Sequence, residues 1–158
     1  AHFPGVWITG PIPRVHPEKN WTPTAGIERG RTLVEDTIPE DQPLINNTSE
    51  GLVVLAGCGH AGIVNTMEYA RSIAGDKPIH TVYGGLHLMG LTDQKLIWTG
   101  TMMSKFGVQQ LLGAHCTGIN AVTLLRDSAG LGRDTSVVGA VGSVFTLEDG
   151  IHLGRLNR

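Results

Sequence analysis

From Leu44 onward, short apolar runs alternate with stretches in which apolar residues recur at helical spacing. Leu44 to Asn47 and Leu52 to Leu55 are two such runs, joined by Thr48-Ser49-Glu50-Gly51, and together they predict a hairpin. Ile63, Met67, Ala70 and Ala74 then fall on one helical face, and Gly75 supplies the stop. Ile79 to Tyr83 reads as a strand. A second helix fits Thr92 to Phe106, with Leu96, Met103 and Phe106 on one face and Gly107 at its end. Val108 to Leu112 is the next strand, and Thr117 is placed to cap a third helix through Leu125 that closes at Ser128-Ala129-Gly130. Val137 to Leu147 predicts an extended segment bulged at its glycines, and Ile151 to Leu156 an edge strand. The order of hairpin, helix, strand, helix, strand, helix, strand argues for an α/β layer arrangement.

Residues 1 to 43 have a different texture. Seven of the eight prolines fall there, a density that excludes regular helix and central strand. The expectation is an irregular segment with one short strand at Val6 to Thr9, packed on the rest through Trp7 and Trp21. The chain therefore divides into an irregular Pro-rich segment, 1 to 43, and an α/β unit, 44 to 158. At 158 residues it is long enough to bury a core as one domain.

Charge and hydropathy narrow the partners. Twelve basic against fourteen acidic residues give a formal charge of -2 with no long run of one sign, so nucleic acid gains no support. No stretch approaches the roughly 20 apolar residues of a membrane span, and the expected setting is soluble and cytoplasmic. Two cysteines, Cys58 and Cys116, are no disulfide framework. They read as small buried thiols, as accessory metal ligands or as a redox pair.

The chemistry concentrates in three histidines. His60, His87 and His115 each follow an apolar run, and the gaps between them are 27 and 28 residues, the length of a strand, helix and strand unit. All three are thus expected at one sheet edge, where loops can aim imidazoles at a shared metal ion. Gly57-Cys58-Gly59-His60-Ala61-Gly62, Gly84-Gly85-Leu86-His87-Leu88 and His115-Cys116-Thr117-Gly118 repeat the same device of glycine beside histidine. His80 on a strand reads as structural, and Asp36 and Asp41, close to Pro39 and Pro43, read as turn formers.

These three motifs, with Ile63-Val64-Asn65 after the first, resemble the later motifs of the metallo-β-lactamase superfamily, nearest the branch of dihydropterin-type ribofuranosyl-aminobenzene phosphate synthases and related metal-dependent hydrolases. The resemblance implies half of an αββα sandwich, a mixed sheet with helices on one face, and a hydrolase in which a metal-activated water attacks an ester, lactone, amide or phosphoester. It implies His60 and His115 as metal ligands, and His87 as a ligand or a catalytic, substrate-facing acid. The metal is divalent, zinc first, with manganese or iron open. The superfamily's first motif, His-x-His-x-Asp-His, has no counterpart here, since no two histidines are separated by one residue and His2, His16, His80 and His152 are scattered. The chain therefore resembles the C-terminal half of the fold, complete with a small-molecule substrate only alongside an N-terminal half chain or as a homodimer. Physics adds that one half leaves an apolar sheet face in need of cover. The competing reading is a non-catalytic metal-binding or structural domain that dimerises.

Overall fold

The computed structural model describes residues 3–18 and 26–154. Trp21, His2 and the end of the expected last strand lie outside them. The strands are β1 (Val6–Ile8), β2 (Gly26–Arg29), β3 (Thr32–Glu35), β4 (Leu44–Asn47), β5 (Leu52–Ala56), β6 (Ile79–Gly85), β7 (Gln110–Ala114), β8 (Ser136–Val138), β9 (Val144–Thr146) and β10 (Gly150–His152). The helices are α1 (Ile63–Ala74), α2 (Asp93–Phe106) and α3 (Ile119–Ala129), and a single 3-10 turn covers His115–Thr117.

Six strands form one mixed sheet in the order β1-β4-β5-β6-β7-β8. β1, β4 and β5 pair antiparallel, whereas β5 to β8 run parallel with α1, α2 and α3 as their crossovers. Because sequential parallel strands are joined by right-handed crossovers, all three helices fall on one face. The register sets Ile45, Val54, Val82 and Leu111 in one row across that face, and each is fully buried. Met67 of α1, Leu96 and Met103 of α2 and Leu125 of α3 close over them in one core. Truncating any of these to alanine would cost about 2–5 kcal/mol.

The opposite face is covered on one side only. Ile8, Leu44, Leu55, Tyr83, Leu112 and Val137 share its cross-strand row. Towards β7 the chain covers itself: Gly139 sits against Leu112, and the β9–β10 hairpin brings Phe145 within 6.2 Å of the His80 ring. Leu112 is consequently 1% exposed, whereas Ile8 is 67%, Leu44 36% and Leu55 38% exposed. The apolar face expected to lie bare is thus bare over β1, β4 and β5. Trp7 does not cover it, because it pairs with Ile45 and packs on the helix-side core.

Three local expectations need correction. The segment 1 to 43 holds more than the strand expected at Val6 to Thr9, which is β1 and joins the main sheet: β2 and β3 form a hairpin turning at Gly30, where short polar-apolar alternation carried too weak a signal. Thr117 does not cap α3; its hydroxyl donates to the Gly84 carbonyl and accepts from the Leu86 N–H, tying two loops together. Among the described residues the last strand, Gly150–His152, pairs with β9 in a separate two-stranded sheet. His80 is buried and hydrogen-bonds the Thr81 hydroxyl at 2.7 Å.

Candidate metal centre

Parallel strands end on the same side, so the loops after β5, β6 and β7 all emerge at one edge of the sheet, where α/β proteins place their ligands. The double glycine at the end of β6 brings two of these loops together. A methyl group on Gly84 would collide with the Ala56 carbonyl, and one on Gly85 would collide with the Gly57 carbonyl and stand 3.1 Å from Cys58 Cα and 3.2 Å from Cys116 Sγ. Only glycine lets the backbone after β5 cross here.

At this edge the rings of His60 and His87 meet, with centroids 4.5 Å apart and planes inclined by 55°. Both His87 (φ 53°) and His115 (φ 51°) adopt left-handed backbone conformations, and among the described residues Ile38 is the one other non-glycine residue that does so. Such strain in non-glycine residues gathers where surrounding structure fixes a functional geometry. His115 itself stands exposed at the rim. Its charge is nonetheless felt at His87.

Electrostatics hold His87 neutral. Burial comes first, and the charges of His60 and His115 add to it against the opposing pull of Asp41, so the pKa falls to about 4. A neutral imidazole is the form that binds a metal. Asp41 accepts a hydrogen bond from the backbone N–H of His60, and its Oδ2 also lies 3.5 Å from His60 Nδ1. The Asp41 side chain is 7% exposed. Read from sequence as a turn former, Asp41 instead faces the centre; the only sequence signal for this was an acidic residue in a loop, which is too common to single out.

The tightest group of potential ligands among the described residues is Cys58, His87 and Cys116, whose donor atoms lie within 4.8 Å of one another. Cys58 Sγ is 3.2 Å from His87 Nδ1 and 3.0 Å from Cys116 Sγ, and the His87 backbone N–H donates to Cys116 Sγ at 3.2 Å. His60 and His115 are not part of that group. Burial, the Cys116 thiol beside it and the Asp41 charge push the Cys58 thiol up to about 12. The expectation of three converging histidines is therefore met ring to ring for His60 and His87, while the thiols stand nearer to His87 than the sequence alone indicated.

A cavity of about 340 Å³ opens beside the histidines. Its walls combine Leu86, Leu88, Leu91 and Trp98 with Gln94 and Lys95. Glu18 closes one side. Its carboxylate accepts the Val64 and Asn65 N–H groups at 3.1 and 2.8 Å, capping α1, whose N-cap Gly62 has no side chain to do so. Burial raises the Glu18 pKa although those two hydrogen bonds and the His16 charge pull it down. Asn65 anchors the same segment by accepting the N–H groups of Val15 and His16.

Comparison with known proteins places this arrangement. No family model matches the chain. It is 30% identical over 131 residues to the 7,8-dihydropterin-6-methyl-4-(β-D-ribofuranosyl)-aminobenzene-5'-phosphate synthase of Methanocaldococcus jannaschii, covering 79% of this chain and 44% of that protein. An uncharacterised protein of the same organism is 32% identical over 142 residues, covering 89% of this chain and 49% of its own length. Among solved structures, a metal-dependent hydrolase of the β-lactamase superfamily superimposes with a TM-score of 0.69 and 27% identity, over 80% of this chain and 48% of that one. In motifs, in sheet-and-helix architecture and in sequence the chain matches a metal-dependent hydrolase of the β-lactamase superfamily and the dihydropterin-type synthase, and it spans about half the length of the curated relatives it matches.

Proposed function

We propose that this chain contributes half of a metal-dependent hydrolase centre. The observation that carries the reading is the pairing of the His60 and His87 rings at the mouth of a partly apolar cavity. The residues present fit a divalent metal: His60 Nδ1 is buried without a hydrogen bond, His87 is held neutral, and two thiols stand beside them. His60, His87 and His115 would hold the metal, with zinc the first choice. Bound there, it would supply a polarised electrophile and a water acidified toward pKa ~7.

The chain's own residues have definable tasks. Asp41 fixes the His60 loop through the backbone and sets a negative charge beside its ring, which favours a cation there. His87, neutral and facing the cavity, is a ligand or the group that exchanges a proton with substrate. Leu86, Leu88 and Trp98 exclude water from the cavity, and Lys95 on its wall suits an anionic part of an ester, lactone or phosphoester substrate. The bare row of Ile8, Leu44 and Leu55 is where a complementary sheet-and-helix half would pack, which agrees with the half-length match to the relatives.

The test is hydrolysis of ester, lactone and phosphoester substrates by the zinc-loaded chain, alone and with a complementing N-terminal half of the fold. Expected is turnover that appears or rises when the complementing half is added and disappears in His60→Ala. A folded, zinc-loaded complex that hydrolyses none of these classes would leave a metal-binding structural domain as the correct reading.

A further inference from the structure

The histidine centre leaves two thiols at the same edge without a task. They do not merely fill space. Cys58 and Cys116 come from loops on either side of β6, and their sulfurs are 3.0 Å apart only because Gly85 between them has no side chain. The Nδ1 of His87 stands 3.2 Å from Cys58 Sγ, which adds a nitrogen donor to two sulfurs. The backbone N–H of His87 donates to Cys116 Sγ, and that thiol donates to the Cys58 carbonyl, so the second sulfur is held facing the first.

We propose that Cys58 Sγ, Cys116 Sγ and His87 Nδ1 form a thiolate-rich site for a borderline-soft divalent cation, zinc above all, with its fourth position open to solvent or substrate. The inference rests on the hydrolase reading only in sharing His87, and the site does not depend on turnover. Two sulfurs and one nitrogen are a ligand set that zinc accepts in open, four-coordinate sites. Thiolates also discriminate against magnesium and manganese, which prefer oxygen ligands. On loading, two thiol protons leave for solvent as two metal–sulfur bonds form, so binding tightens as pH rises. Metal–sulfur bonds of about 2.3 Å in tetrahedral geometry set the sulfurs about 3.8 Å apart, so the loops must open by less than an ångström.

The probe is cobalt(II) titrated into the reduced full chain, with the near-ultraviolet thiolate-to-cobalt charge-transfer absorption as readout. The band should saturate at one equivalent, fall to roughly half in Cys58→Ser and in Cys116→Ser, and vanish in the double variant. Zinc should abolish it by displacement, and excess magnesium or manganese should not. In the unmutated protein, zinc should protect both thiols from alkylation, a measurement that does not depend on any variant folding. A cobalt complex without the band, a band undiminished in the double variant, or alkylation at one rate with and without zinc would overturn the proposal. A full band without hydrolysis by the chain complemented with the N-terminal half would leave this site standing and remove the hydrolase reading, whereas hydrolysis by a complemented cobalt protein lacking the band would do the reverse.

Discussion

Asp41 and His60 are joined twice: the carboxylate accepts the His60 backbone N–H, and the same oxygen lies 3.5 Å from the ring nitrogen Nδ1. One interaction fixes the loop and the other fixes the field around the ring. They separate on substitution. Asp41→Asn retains an acceptor for the backbone but removes the charge, and zinc affinity should fall about 10- to 100-fold with the fold intact. Competition with a chromophoric chelator measures this, and an unchanged affinity would show that the carboxylate serves only the turn.

Acid should destabilise the metal-free chain through His87. Its pKa is about 4 in the fold, against an ordinary value near 6.5 when unfolded, so the unfolded state holds more protons between these values. Stability therefore rises with pH through that window, is fully present above it, and is lost as pH falls toward 4. Glu18, with a raised pKa, pulls the opposite way, so the informative comparison is between the unmutated chain and His87→Gln. Thermal unfolding of the variant should depend less on pH from 4 to 6.5; equal slopes would mean that His87 is not held neutral.

At His115 the usual ranking of alanine over glycine should invert. The residue is exposed and its φ is 51°, a conformation that glycine adopts freely and alanine does not. His115→Gly should be more stable than His115→Ala by about 1 kcal/mol, a figure set by the left-handed backbone alone. Chemical denaturation of the two variants decides it.

The helix that follows His60 depends on a residue far away in sequence. Removing the Glu18 carboxylate leaves the Val64 and Asn65 N–H groups of α1 without their acceptor. Glu18→Ala should cost about 1 kcal/mol, as losses of helix caps do, and lower Tm by about 2–4 °C. Loss of less than a few tenths of a kcal/mol would mean that water replaces the carboxylate at no cost.

Much of this molecule is legible in its residues, for a physical reason in each case. The helix from Ile63 to Ala74 is announced by apolar residues every three or four positions and a glycine stop, and the strand at 79–85 by β-branched and aromatic residues between Pro78 and a double glycine, because both bury one face in a shared core. The three histidines are legible because parallel strands repeat at a fixed interval and end on one side. Asp41 and Glu18 are not, since each acts on a residue 19 or more positions away through contacts that only the fold creates. The β2–β3 hairpin escaped for the opposite reason. It is short and exposed, so burial imposes no pattern on it.

Zinc retention is the most direct test of the claim that loops after β5, β6 and β7 build one metal centre. The reduced chain is loaded with zinc, passed through a desalting column and analysed for metal per chain, alongside folded His60→Ala and His87→Ala variants. The unmutated protein should keep at least one equivalent, His60→Ala should keep less than it does, and His87→Ala, which loses a ligand of the thiolate group as well, should lose most of it. A metal-free unmutated protein, or variants that keep as much zinc as it does, would contradict the account.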